Sequence, residues 1–228
     1  MIKSKSLILF DIDGTLMRGA GEHHKAALIE GIRRVTGIST HLDGVATSGM
    51  LDRDLIALML EAAGHSRRKI RGRLHEMVLE CQSAYLSNCA PELTHCVCIG
   101  IRQTLIELTS RGAVLGLVTG NLSQIGWKKV ELAGLRSYFS VGAFAEDGRT
   151  RARLARMAAR RAMKEGLVSR DCRISLIGDH TNDVIAAKAN GFQAVAVATG
   201  LTPIEELQAS SPDILVRNIA ELDIEKLL

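Results

Sequence analysis

Short apolar runs recur along the chain, and each one stops at a polar loop. Residues 7–10 run into Asp11, residues 113–118 into Thr119-Gly120-Asn121, residues 174–177 into Gly178-Asp179, and residues 194–197 toward Thr199-Gly200. Ile214-Leu215-Val216 forms a fifth run. Continuous apolar runs of this length, without alternation, suit strands buried on both faces. Between them lie helical patterns. Ile101, Leu105 and Leu108 recur at helical spacing before Gly112; residues 125–132 close at Gly134, 154–163 at Gly166, and 184–189 at Asn190-Gly191. Glycine commonly ends a helix by adopting the left-handed conformation. Strands alternating with helices predict an α/β fold, a parallel sheet with helices on both faces.

One segment breaks the alternation. Residues 17–91 show helical periodicity over 26–35, 51–63 and 70–86, with no convincing strand. The expected organisation is therefore a core of residues 1–16 and 92–228, with an all-helical lobe of residues 17–91 inserted after the first strand. A chain of 228 residues suits one main domain carrying such an insertion.

Composition removes several functional classes. The formal charge of +4 is a mild excess. Basic residues cluster only at Arg67-Arg68-Lys69 with Arg71 and Arg73, and from Arg149 to Arg161. Without interleaved aromatics these clusters read as solvated helix faces, and nucleic acid is not an expected partner. No apolar run reaches the roughly 18 residues of a membrane span. Aromatics are 3% of the chain, so the core must be built from Leu, Ile, Val, Ala and Met. The five cysteines, an odd number without a secretory signal, predict reduced thiols and a cytoplasmic location. Cys96-Val97-Cys98 beside His95 lacks the spacing of a zinc finger or ribbon and reads as ordinary thiols near the domain junction.

Ligands of open α/β sheets bind outside the carboxyl ends of the strands, and three strand ends here carry chemistry. Asp11-x-Asp13-Gly14-Thr15 places two carboxylates on one loop, with a glycine for the sharp turn. Thr119-Gly120-Asn121 offers a hydroxyl, a backbone amide and a side-chain amide to phosphate oxygens. Gly178-Asp179-x-x-x-Asp183 places two acids before a helix, which suits a hard cation. Helix capping explains Asn182 and Asp183 as well, but explains Asp179 poorly.

Together these motifs resemble the haloacid dehalogenase-like superfamily, in order and spacing, across essentially the whole chain. The resemblance implies a Rossmann-like sheet and a magnesium-dependent phosphohydrolase. Asp11 resembles the nucleophile that forms an aspartyl-phosphate, and Asp13 the general acid and base, whose backbone carbonyl would bind Mg2+. Thr119, helped by Gly120 and Asn121, resembles the phosphate cradle. Asp11, Asp13 and Asp179 would be the metal ligands, with Asp183 behind them. The family expects a basic residue, usually lysine, before the third motif; residues 145–154 contain none, and Arg151 best matches its place, with Arg149 as runner-up. An acid at position 13 favours phosphate esters over carbon–halogen bonds, because only an ester oxygen needs a proton.

The insertion resembles the helical cap of phosphoglycolate phosphatase-like and β-phosphoglucomutase-like members. The turn from Thr47 to Arg53 is expected to face the site, with Arg53 a candidate for a second anionic group; the competing reading is a helix start capped by Ser48 or Asp52. His23-His24 read better as solvent-exposed helix residues than as substrate contacts. The expected substrate is a small phosphorylated metabolite such as phosphoglycolate or a sugar phosphate. A phosphomutase and a non-catalytic binding protein on the same scaffold are the alternatives.

Overall fold

The computed structural model describes residues 3–42 and 47–228, with side chains for all but 67–69. Among them, six strands form one all-parallel sheet: β1 (Ser4–Phe10), β2 (Val114–Val118), β3 (Phe139–Ala143), β4 (Val168–Gly178), β5 (Gln193–Val197) and β6 (Ile214–Val216), in the order β3-β2-β1-β4-β5-β6. The first strand is central. Its Leu7, Ile8, Leu9 and Phe10 pair with Val114 to Leu117 of β2 on one side and with Ile174 to Ile177 of β4 on the other.

All four of these β1 side chains are fully buried, and they alternate between two cores. Leu7 and Leu9 join Leu154, Ala155 and Ala158 on one face; Ile8 and Phe10 join Ile101, Leu105 and Leu108 on the other. Burying each such Leu, Ile or Phe contributes about 1.5–3 kcal/mol, which is why a run without alternation settles at the middle of the sheet.

The helices of the sheet are α4 (Ile101–Ser110), α5 (Ser123–Leu132), α6 (Arg151–Lys164), α7 (Thr181–Lys188) and α8 (Ile204–Ala209). Before them come three helices between β1 and β2: α1 (Glu22–Thr36), α2 (Asp52–Ala62) and α3 (Arg67–Asn88). The side chains of Arg67-Arg68-Lys69, expected to form a solvated face, lie outside the described residues. Helices α1 and α3 pack tightly: a Cβ at Gly31 would fall 2.4 Å from the backbone nitrogen of Cys81. The three helices share one apolar cluster with the sheet, in which Leu28, Ile56 and Val78 are continuous with Leu122, Ile125 and Leu9.

Three elements depart from the sequence reading, the first being α8, which it did not include. Strand β3, Phe-Ser-Val-Gly-Ala, is broken by a serine and a glycine and lacks an apolar run. Strand β4 begins at Val168, six residues before Ile174, because its polar first half extends along β1 as far as Ser4.

Candidate active site

The strand order sets the site. Strands β2, β1 and β4 are neighbours at the middle of the sheet, so the loops after them meet at one edge. Asp11 and Asp13 follow β1, Thr119 to Asn121 follow β2, and Asp179 to Asp183 follow β4. Asp11, Asp13, Thr119, Gly120, Asn121 and Arg151 all line one cavity of about 570 Å³, closed from the other side by residues of the inserted lobe.

Arg151 is buried at the first turn of α6, whose start is capped by the Thr150 hydroxyl. Its Nη1 donates to Asp11 Oδ1 at 2.8 Å and to the Val118 carbonyl at 3.2 Å, and its Nε lies 3.3 Å from Asp183 Oδ1. Burial opposes its charge, but Asp11 and Asp183 hold its pKa above the ordinary guanidinium value. Arg149 does not line the cavity. Of the two candidates for the basic residue, Arg151 is the one that touches Asp11 and lines the cavity.

Asp11, Asp179 and Asp183 are buried, with carboxylate oxygens within 4.8 Å of one another. Burial pushes Asp179 well above the ordinary carboxyl pKa, and the charges of Asp11 and Asp183 add to this; the Thr15 hydroxyl, donating to Asp179 Oδ1 at 3.1 Å, offsets only part. Asp183 is raised too, chiefly by burial and against the pull of Arg151. One guanidinium faces three carboxylates, and Asp183 Oδ1 is buried without a hydrogen bond. An all-oxygen donor set with surplus negative charge fits a hard cation such as Mg2+. Glycines make the room: a Cβ on Gly14, at φ +91°, would meet Asp179 at 2.3 Å, and one on Gly200 would overlap it.

Asp183 also caps its helix, accepting from the His180 amide at 3.3 Å while the His180 ring accepts from the Asn182 amide. The capping and the acidic-cluster readings of Asp183 therefore both hold. Among the described residues no group of three or more His, Cys, Asp or Glu other than the Asp11–Asp179–Asp183 cluster is placed to hold a metal. Cys96 and Cys98 are free thiols, and His95 pairs with Glu92.

The Asp13 carboxylate is not part of that cluster. It lies on the cavity wall, its side chain 40% exposed, and receives the ammonium of Lys129 at 2.8 and 2.7 Å. Burial would raise its pKa, but Lys129 and Asn121 outweigh it and hold the group below the usual carboxylate range. Asn121 differs from expectation as well. Its Nδ2 donates to Asp13 Oδ2 at 2.8 Å and to Thr119 Oγ1 at 2.7 Å, and its Oδ1 accepts from Lys129. The Asn121 side chain is thus engaged in holding its neighbours rather than directed to phosphate.

In the lobe, Thr47 to Met50 and Asp52 line the cavity, while Arg53 does not. The cations on the lobe side of the cavity are instead Arg18 and Lys25. Asp52 does not cap its own helix. It accepts from the Leu122 amide at 2.7 Å, capping α5, and its own amide donates to the Gly120 carbonyl at 2.8 Å. Leu51 holds the N-cap position of α2. His23 is exposed as expected, but His24 is not: its side chain is 12% exposed, and it pairs with Asp52 at 2.8 Å. Sequence reasoning missed Lys129 and His24. Their signal was position, since Lys129 follows Ile125 by four residues and His24 precedes Leu28 by four, on the apolar stripes of α5 and α1.

This fold and this set of acids define a class, and sequence comparison agrees. The chain belongs to the haloacid dehalogenase-like hydrolases, whose family model matches residues 5–191. Phosphoglycolate phosphatase of Synechococcus elongatus is 33% identical over 141 residues, 60% of this chain but only 61% of that protein, so less than two thirds of its length is matched. The probable phosphatase IndB of Dickeya dadantii is 24% identical over 226 residues, covering 96% of this chain and 92% of its own. In fold, the chain resembles CbbY from Rhodobacter sphaeroides, solved in complex with phosphate, with a TM-score of 0.71 at 20% identity over 98% of this chain and 99% of that one. It also resembles β-phosphoglucomutase from Clostridium difficile, with a TM-score of 0.69 at 17% identity over 98% and 95%. Among the described residues no helix is long and apolar enough to cross a membrane.

Proposed function

We propose that the chain hydrolyses a small phosphate monoester through an aspartyl-phosphate on Asp11, with residues 17–91 acting as a cap over the site. The observation that carries this reading is the arrangement around Asp11. A buried carboxylate fixed by Arg151 sits in the same cavity as a second acid, Asp13, and beside Asp179 and Asp183.

The steps follow from these positions. Asp11 attacks phosphorus with one carboxylate oxygen while Arg151 holds the other and offsets negative charge. The P–O bond to the alcohol breaks, and Asp13, ionised beside Lys129 in the free site and protonated by the proton that a phosphate monoanion brings in, delivers that proton to the departing oxygen. Asp13, now ionised, takes a proton from a water molecule as that water attacks the aspartyl-phosphate. Inorganic phosphate and free Asp11 result. The Thr119 hydroxyl and Gly120 amide bind the phosphoryl oxygens. Asp11, Asp179 and the Asp13 backbone carbonyl would hold Mg2+, with Asp183 behind them. Bound there, the ion would neutralise charge shared between Asp11 and the phosphoryl oxygens.

Arg18 and Lys25 place two cations on the lobe side of the cavity, beside the acids Glu22 and Asp52, the latter already engaged by His24 and the Leu122 amide. That favours a substrate with a second anionic group, and with the relatives' names it makes phosphoglycolate the first substrate to test. Asp11→Asn should bring magnesium-dependent phosphate release from a metabolite panel to background while circular dichroism stays unchanged. Substantial residual turnover would falsify the nucleophile assignment. Isomerisation of a sugar phosphate without net phosphate release would replace the phosphatase reading with a mutase.

A further inference from the structure

We propose that Lys129 is a positioning residue for Asp13, and that His24 and Asp52 of the inserted lobe complete the shell that aims its ammonium. Alignment of the acid then depends on the lobe being seated on the core. The inference rests on Asp13 being the proton donor of the reaction proposed above.

Lys129 is fully buried and does not line the cavity, so it has no access to substrate. A buried ammonium is tolerated only when its donors are matched. Here three N–H groups meet four acceptor atoms: both Asp13 oxygens, Asn121 Oδ1 at 2.8 Å and His24 Nδ1 at 3.1 Å. The bridge across both oxygens, with Asn121 Nδ2 on one of them, fixes the Asp13 side chain, leaves it open to the cavity and keeps it charged until a substrate monoanion brings the proton it relays.

The remaining link runs into the lobe. An ammonium offers only hydrogens, so His24 Nδ1 must be the bare acceptor and Nε2 must carry the proton. That proton goes to Asp52 Oδ2 at 2.8 Å, an oxygen that also accepts from the Leu122 amide at the start of α5. The Tyr85 ring of α3 meets the His24 ring edge to face, 6.3 Å between centroids. Helices α1, α2 and α3 of the lobe therefore each touch the chain of contacts that ends on Asp13. Lifting the lobe removes His24 from Lys129 and Asp52 from α5 together.

The test uses the leaving group. The p-nitrophenolate of p-nitrophenyl phosphate departs without a proton, whereas the alkoxide of an alkyl phosphate such as phosphoglycolate needs one. Lys129→Met should lower kcat/KM for the alkyl ester about 100-fold and for p-nitrophenyl phosphate by less than about 3-fold. His24→Ala, at a less buried position, should shift the same ratio in the same direction by about 10-fold, and it carries the test if Lys129→Met does not fold. Equal losses on both esters, or a rise in KM alone, would overturn the proposal, because they would mark a structural or substrate-binding role. Asp13→Asn is measured in parallel. If it too lacks leaving-group bias, the reading of Asp13 as proton donor fails; if it shows the bias and neither lobe-linked variant does, only the role of Lys129 fails.

Discussion

Arg151 is the residue on which the electrostatics of the site turn. Its guanidinium is buried and is, among the described residues, the one cation paired with Asp11 and Asp183. Arg153, two residues on, is exposed on the opposite side of the helix start. Arg151→Ala should therefore lower kcat at least about 100-fold, and Arg153→Ala should leave it within about 2-fold. Comparable small losses in both would remove Arg151 from the site. The candidate acids and the Thr119-Gly120 pair were legible because each follows an apolar strand in a motif of fixed spacing. Lys129 was not, because its neighbour Lys128 is an ordinary partner for Glu131, and nothing in the pair Lys-Lys says which one turns inward. Asn121 was legible as a site residue but not in its role. Its partners are set by Lys129 and Asp13, which lie on other elements.

At the scale of elements, helices α1 and α3 of the inserted lobe add one point of close backbone approach to an apolar interface that buries Leu28, Ile32, Met77 and Tyr85. Gly31 of α1 faces the Cys81 backbone of α3, and a methyl group there has no space. Gly31→Ala should cost about 1–3 kcal/mol and lower the thermal midpoint by several degrees; an unchanged midpoint would show that α1 and α3 can shift apart freely. Helix boundaries were read well from sequence, since apolar periodicity and glycine stops are local signals. The third strand was not, because Phe139-Ser140-Val141-Gly142-Ala143 owes its strand state to pairing with β2 rather than to its own pattern. The same holds for the first half of β4, whose polar residues extend the strand only because Ser4 and Ser6 of β1 lie alongside.

For the whole molecule, the acidic cluster ties stability to pH and to metal. Asp179 and Asp183 hold their protons in the fold at pH values where the unfolded chain has lost them. Raising the pH through neutrality therefore removes stability from the metal-free protein. Asp13 and Glu30 have the opposite sign, but their lowered pKa values complete that contribution in the acid range. His180, lowered by burial, adds stability only up to about its unfolded value of 6.5. In EDTA the thermal midpoint should fall between about pH 7 and pH 8.5, and excess Mg2+ should raise it more at the upper end. A midpoint that climbs over this interval, or an equal Mg2+ increment at both ends, would show that the acids are not coupled as described.

The start of α5 has a consequence for chimeras. The amides of Leu122 and Gln124 are satisfied by Asp52 and Gln82, both from the lobe, and the Ser123 amide by Glu146 of the core. A foreign lobe grafted between residues 16 and 92 to change specificity would have to bring acceptors to the same two amides. Without them the graft would fray the helix that carries Lys129, and an exchange meant to alter only recognition would blunt turnover as well.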